Sequence, residues 1–295
     1  MFKQKWNPIV YTQCSDFQYH AAIHFLTTCG LNSNESILDI GCGNGKTTYY
    51  LASQITSGKV MGIDKSADMI EFANEHFKLK NLDFRINDVL SFKHESKFEA
   101  AVSFFCMPWI TDKALAFKNI ATALKDEAKI FILAAVYEKI QAELITNLTQ
   151  KPHWIQFFEN YLSPFIYLND TKYDSYAKAA GIEIDLMEKI SIPHTFKTRE
   201  EFHKFYLTLV PHITHLKQED LKNAFADELL EDYFKAKGNK ECNVTIEAIK
   251  FSGKKLAVSE NLTPSQRLAF FKPPTTNMED ECNDEKMRAK RYMGA

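Results

Sequence analysis

Residues 37–45 read Ile-Leu-Asp-Ile-Gly-Cys-Gly-Asn-Gly, an apolar run carrying Asp39 that breaks into glycines at 41, 43 and 45. Glycine at such a break lets main chain approach a ligand where a Cβ would collide. The dinucleotide fingerprint Gly-x-Gly-x-x-Gly would put its last glycine at position 46, where Lys46 stands. The close packing of helix on strand beside a pyrophosphate is therefore missing. A Gly-x-Gly-x-Gly turn suits a ligand without phosphates, and S-adenosylmethionine (SAM) is one, offering a methionine amino acid, a sulfonium and an adenosine. Asp64, 19 residues past Gly45, is placed to accept from both ribose hydroxyls, which a carboxylate does better than a neutral group. Asp88 is placed to accept from the adenine amino group. Singly, each is a common turn or helix cap. Together, at successive strand ends, they mark a site, because ligands of such sheets bind at the carboxyl ends of strands.

The elements that must position them follow from periodicity. Phe17, Ala21, Ala22, Phe25 and Leu26 recur at helical spacing before Gly30. Ser36–Ile40 reads as a strand, Lys46–Gln54 as a helix, Lys59–Ile63 as a strand ending at Asp64, and Ala67–Phe77 as a helix. Leu82–Ile86 reads as a third strand before Asp88, Phe98–Phe105 as a fourth, Asp112–Leu124 as a helix and Ala128–Val136 as a fifth strand. This alternation predicts an α/β fold, a Rossmann-like, doubly wound, seven-stranded and parallel sheet with helices on both faces. Residues 1–136 form its N-terminal helix and cofactor-binding core. From Tyr137 the rhythm turns helical and aromatic (Tyr137–Leu148, Trp154–Leu162, Tyr173–Ala180), and 137–181 is expected to be an inserted helical lid. Residues 182–258 supply the last strands, Ile182–Ile192 and one within Val244–Val258, with helices Thr198–Leu209 and Gln218–Lys235 between them. Residues 259–295, with a Pro-Pro pair and few large apolar residues, are expected to be a flexible tail that adds little to the core.

The totals narrow the function. A formal charge of -2 from 36 basic and 38 acidic residues gives no field that would gather nucleic acid or an anionic membrane, so a small-molecule substrate is expected. The six cysteines include no Cys-x-x-Cys pair, which points to reduced thiols in a cytoplasmic protein and to no metal site. No basic start leads into an apolar run, and no stretch of ~18 apolar residues occurs, so neither signal peptide nor membrane span is expected.

Over residues 30–136 the sequence resembles the class I SAM-dependent methyltransferases, with the motifs in family order. Asp39 matches the acidic residue that in this family faces the methionine amino group, often through water. Over most of residues 6–258 the chain looks most like the group containing juvenile hormone acid and trans-aconitate methyltransferases. Three stretches carry this: Trp6-Asn7-Pro8-x-x-Tyr11, Ser103-Phe104-Phe105-Cys106-Met107-Pro108-Trp109, and Trp154-x-x-Phe157 running to Ser163-Pro164. Tyr11, Lys65 beside Asp64, Val89 beside Asp88, and Ser103 complete the candidate cofactor set.

The resemblance also implies that Gln18 and Trp109 clamp a substrate carboxylate. Indole N–H is a donor with no acceptor role, suited to orienting an anionic oxygen without competing for the methyl group. Two departures stand out: Pro108, where His or Gln commonly precedes this Trp, and Leu124-Lys125-Asp126-Glu127, where a Pro-Gly turn is usual and only a loop should change. A carboxylate with a pKa of ~4 is already ionised at neutral pH and needs no general base. His20, His24, His153 and His194 offer no ligand pair and read as surface or packing residues. Another O or N acceptor, or SAM binding without turnover, are the competing readings.

Overall fold

The computed structural model describes residues 6–257 apart from 96, 137, 167, 169 and 239. The apolar runs form one sheet, which among the described residues has seven strands: β1 (Ser36–Ile40), β2 (Lys59–Asp64), β3 (Leu82–Ile86), β4 (Phe98–Phe104), β5 (Leu124–Val136), β6 (Ile182–Thr195) and β7 (Asn243–Lys255). Their spatial order is β3-β2-β1-β4-β5-β7-β6. The first five are mutually parallel, as the alternation predicts. β7 runs antiparallel to both neighbours, so the sheet is mixed rather than parallel throughout. The reason lies in the connection. The chain leaves β6 at Thr195 and enters β7 at Asn243, which pair with each other, so the two strands form a wide hairpin instead of a crossover.

Side-chain alternation sorts the strands onto two cores. Ile37, Ala100, Val102, Phe131 and Leu133 face one layer; it contains α2 (Asp16–Leu26) and α3 (Lys46–Gln54). Leu38, Ile40, Ala101, Ile130 and Ile132 face the other, covered by α5 (Lys113–Ala123) and α8 (Asp170–Ala179). Burial on both faces explains the near-continuous apolar runs of β1 and β4. α4 (Ala67–His76) packs Ile70 and Ala73 on Phe84 and Cys42 beside the glycine turn.

The block 137–181 divides. α6 (Lys139–Thr149) packs on α11 (Glu219–Lys237), whereas α8 packs on α5 and β6 as a helix of the core. With α9 (Arg199–Leu209) and α10 (Pro211–His215), α6 and α11 form an aromatic cap over the α2 side. The expected helix Trp154–Leu162 shrinks to α7 (Ile155–Phe158), because Asn160 turns left-handed at φ +62. Trp154 pins this segment by donating Nε1–H to Glu228 at 2.7 Å, and Lys151 and His153 bond the same carboxylate. Burial pushes the Glu228 carboxyl up, but these three bonds outweigh it and hold it at about 2. Leu124–Glu127 is the start of β5 and not a loop, and Glu127 takes a left-handed φ of +62 there. No helix among the described residues is long and apolar enough to cross a membrane. The tail 259–295 lies outside the described residues.

Candidate active site

Glycine is required where β1 ends. Gly41 has φ +72, and a Cβ there would lie 2.2 Å from Cys106 Sγ. Gly41→Ala is expected to destabilise the fold by about 2–4 kcal/mol, combining left-handed strain with a clash against β4's exit. Gly43 is also left-handed at φ +54, yet its Cβ would meet only Tyr11 Cε1 at 3.9 Å, so Gly43→Ala should cost about 1 kcal/mol. Chemical denaturation checks both; equal losses would deny the close approach at Gly41.

The turn is braced by the neighbouring strand. Gly41 and Cys42 donate to Ile63 O at 2.8 and 3.0 Å, and Asp64 accepts from Gly43 N at 3.0 Å and Ser66 N at 2.8 Å. Asp64 thus fixes the turn and the entry to α4 together, with spare lone pairs on both oxygens. Burial raises its pKa despite those two bonds. Lys65 follows with an exposed side chain. Asp88 accepts from Leu90 N at 2.9 Å and shapes the turn after β3, with Val89 buried beside it. Ser103 differs from its expected role in one respect. The whole residue is buried and its hydroxyl donates to Ile40 O at 2.9 Å, so Ser103 braces the strand behind the site.

A pocket of about 430 Å³, open mouth included, lies over the turn. It brings together Tyr11, Gln18, Asp39, Gly41 and Gly43 from the candidate set. Asp39 is 2% exposed, and Thr48 donates to its Oδ2 at 2.7 Å. Burial, with a smaller push from Asp64, raises its pKa to about 7 against the pull of Thr48. A buried carboxylate held this high favours a cationic ligand group. Cys106, raised to about 12 chiefly by burial, stays a neutral thiol.

The N-terminal segment closes the pocket's edge. Asn7 caps α1 (Pro8–Cys14), accepting from Ile9 N and Val10 N, and Asn44 of the glycine turn donates to Thr12 at 2.8 Å. Apolar periodicity starts its first helix only at Phe17 and misses this one; Asn7-Pro8, an N-cap followed by proline at N1, is the signal that marks it. From Tyr11 an edge-to-face aromatic chain runs through Trp6 (5.8 Å) to Trp109 (5.1 Å) and Phe165 (4.8 Å). Trp109 ends a 3₁₀ turn, Met107–Trp109, reached through Phe105 at φ +59. It lies outside the pocket lining, next to the aromatic wall. Gln18, by contrast, is 7% exposed in the pocket wall, and its Oε1 has no hydrogen-bond partner.

These residues fit SAM: an open cradle at Gly43, a buried acid for an ammonium, an unpartnered amide. Comparison with known proteins agrees. Residues 31–181 match the family described as Methyltransferase domain. A protein of Invertebrate iridescent virus 6 that carries the name methyltransferase 235L is 42% identical over 248 residues, covering 84% of this chain and 92% of that one. Juvenile hormone acid O-methyltransferase of Bombyx mori is 29% identical over 138 residues, 44% of this chain and 50% of its own length. Among solved structures, phosphoethanolamine N-methyltransferase 2 of Haemonchus contortus with bound SAM has a similar fold at TM-score 0.55 and 16% identity, covering 85% of this chain and 58% of that one. The conjunction of glycine turn, strand-end acids, strand order and sequence similarity makes this chain a member of the class I SAM-dependent methyltransferases.

Proposed function

We propose that the chain methylates a carboxylate oxygen of a small organic acid, with SAM as donor. Asp39 would hold the cofactor's ammonium, Asp64 its ribose and Asp88 its adenine, with Tyr11, Lys65 and Val89 around it and Ser103 bracing β1 from behind. When bound, SAM supplies a sulfonium-activated methyl group for in-line displacement. The protein's task is then to hold the acceptor oxygen in line, which accounts for much of the rate in such reactions. Gln18 and Trp109 are the residues for that task. The observation that carries the reading is the Gln18 side chain, buried in the pocket wall with its amide end held by no hydrogen bond at Oε1, so that a half-turn of the amide presents Nε2–H to a carboxylate. An unmet polar group at such a place costs stability and is kept where a ligand satisfies it. No base is needed, since the acceptor is already ionised.

The names of the juvenile hormone acid and trans-aconitate relatives support an acid acceptor. The described cysteines are all free, which supports a reducing, cytoplasmic setting. One detail favours a hydroxyl or amine acceptor instead. The buried Gln18 atom is the carbonyl Oε1, which would receive a donor. Offering acids beside the alcohol and amine of the same carbon skeleton, with product masses as readout, decides between them. Methyl esters alone are expected; methylation confined to the alcohol or amine would replace the acid reading.

A further inference from the structure

We propose that Lys46 binds the α-carboxylate of the cofactor's amino-acid end, a role that rests on the cofactor reading above. Among the described residues lining the pocket, Asp39 is the one anion and Lys46 the one cation. An α-amino acid carries an ammonium and a carboxylate on the same carbon, so a pocket that takes the ammonium at Asp39 must meet the carboxylate close by. The position of Lys46 is otherwise unfavourable. It is the first residue of α3, where the positive end of the helix macrodipole opposes a cation and welcomes an anion.

The ammonium is kept within reach by two weak partners. Nζ lies 2.8 Å from Asp16 Oδ1, with side chains 32% and 61% exposed, and 4.4 Å above the Tyr19 ring. Exposed pairs of this kind contribute little, so a ligand carboxylate can share or take the ammonium at small cost. Gln18, two residues after Asp16 on α2, lines the same pocket with its unpartnered Oε1. That buried, unmet atom is a separate sign that the pocket takes a polar ligand; as an acceptor it meets a donor and leaves the carboxylate to Lys46.

The test is titration calorimetry with two probes. S-adenosylhomocysteine carries the amino acid; 5′-methylthioadenosine has the same nucleoside and a thioether without it. Lys46→Met should weaken S-adenosylhomocysteine by about tenfold to a hundredfold, as for loss of a charged hydrogen bond, and leave 5′-methylthioadenosine within about twofold. Lys46→Arg should recover most of the loss, and Asp16→Asn should leave both affinities within about twofold. Unchanged S-adenosylhomocysteine affinity in Lys46→Met would overturn the proposal. So would equal weakening of both probes, or a tenfold loss in Asp16→Asn, since Lys46 would then act only by fixing α2. Wild-type protein that binds neither probe would sink the cofactor reading itself, and this proposal with it.

Discussion

Trp109→Phe should leave S-adenosylhomocysteine affinity within about twofold and lower the single-turnover rate of acid methylation by about tenfold to a thousandfold. The ring sits edge-to-face between Trp6 at 5.1 Å and Phe165 at 4.8 Å. Phenylalanine keeps an aromatic edge in that stack while removing the indole N–H together with the five-membered ring that carries it, and unchanged cofactor affinity checks that the lost ring volume leaves the pocket intact. An orienting donor contributes to the rate where charge shifts in a closed site and little to cofactor binding, which explains the expected split. Gln18→Ala should act in the same direction. The double variant should lose less than the sum of the two, because both residues hold one group. A Trp109→Phe protein that methylates the same acid at the wild-type rate would remove the clamp and leave Trp109 as part of the aromatic wall.

The second large effect concerns Asp39. Its carboxyl is raised to about 7 in the ligand-free pocket, first by burial. A cofactor ammonium stabilises the ionised form, so binding below pH 7 must expel a proton. Wild-type affinity should therefore fall by up to about tenfold per pH unit as pH drops below about 7. Asp39→Asn should bind roughly a hundredfold more weakly at pH 8, losing a charged hydrogen bond, and show no such slope.

Stability should move the other way. A carboxyl raised above its unfolded value stabilises the fold fully below about pH 4, and that contribution is lost as pH rises through about 7. At pH 8 the ligand-free wild type thus carries a buried charge that Asn lacks. The variant should be more stable there by on the order of 2–4 kcal/mol, and nearly equal to wild type at pH 4. Calorimetry across pH 6–8, with denaturation at pH 4 and pH 8, measures both halves. A flat wild-type affinity would mean that Asp39 does not meet the cofactor.

What was legible in the sequence is what local chemistry dictates. β1 and β4 are buried on both faces and are therefore mostly apolar, and Gly41 must lack a Cβ because Cys106 lies against it. The strand ends at Asp64 and Asp88 follow from the same alternation. What stayed hidden depends on partners distant in sequence. The antiparallel sense of β7 is set by where the chain re-enters the sheet, and the cap joins α6 to α11 through contacts such as Trp154 to Glu228. Residue periodicity carries no record of such pairings, so 137–181 reads as one block although α8 belongs to the core. Nothing in the residue type marks Phe105 as left-handed or Gln18 as buried. Ser103 reads as a site residue because of its neighbours, whereas its hydroxyl is used within the sheet.

The most direct test of acid methylation is to follow the label from SAM carrying a ¹³C methyl group into an acid substrate and treat the product with mild alkali. An ester is expected, with the label on a methoxyl carbon that alkali releases as labelled methanol while regenerating the free acid. A labelled product that survives alkali would place the methyl on nitrogen or an ether oxygen and contradict carboxylate methylation.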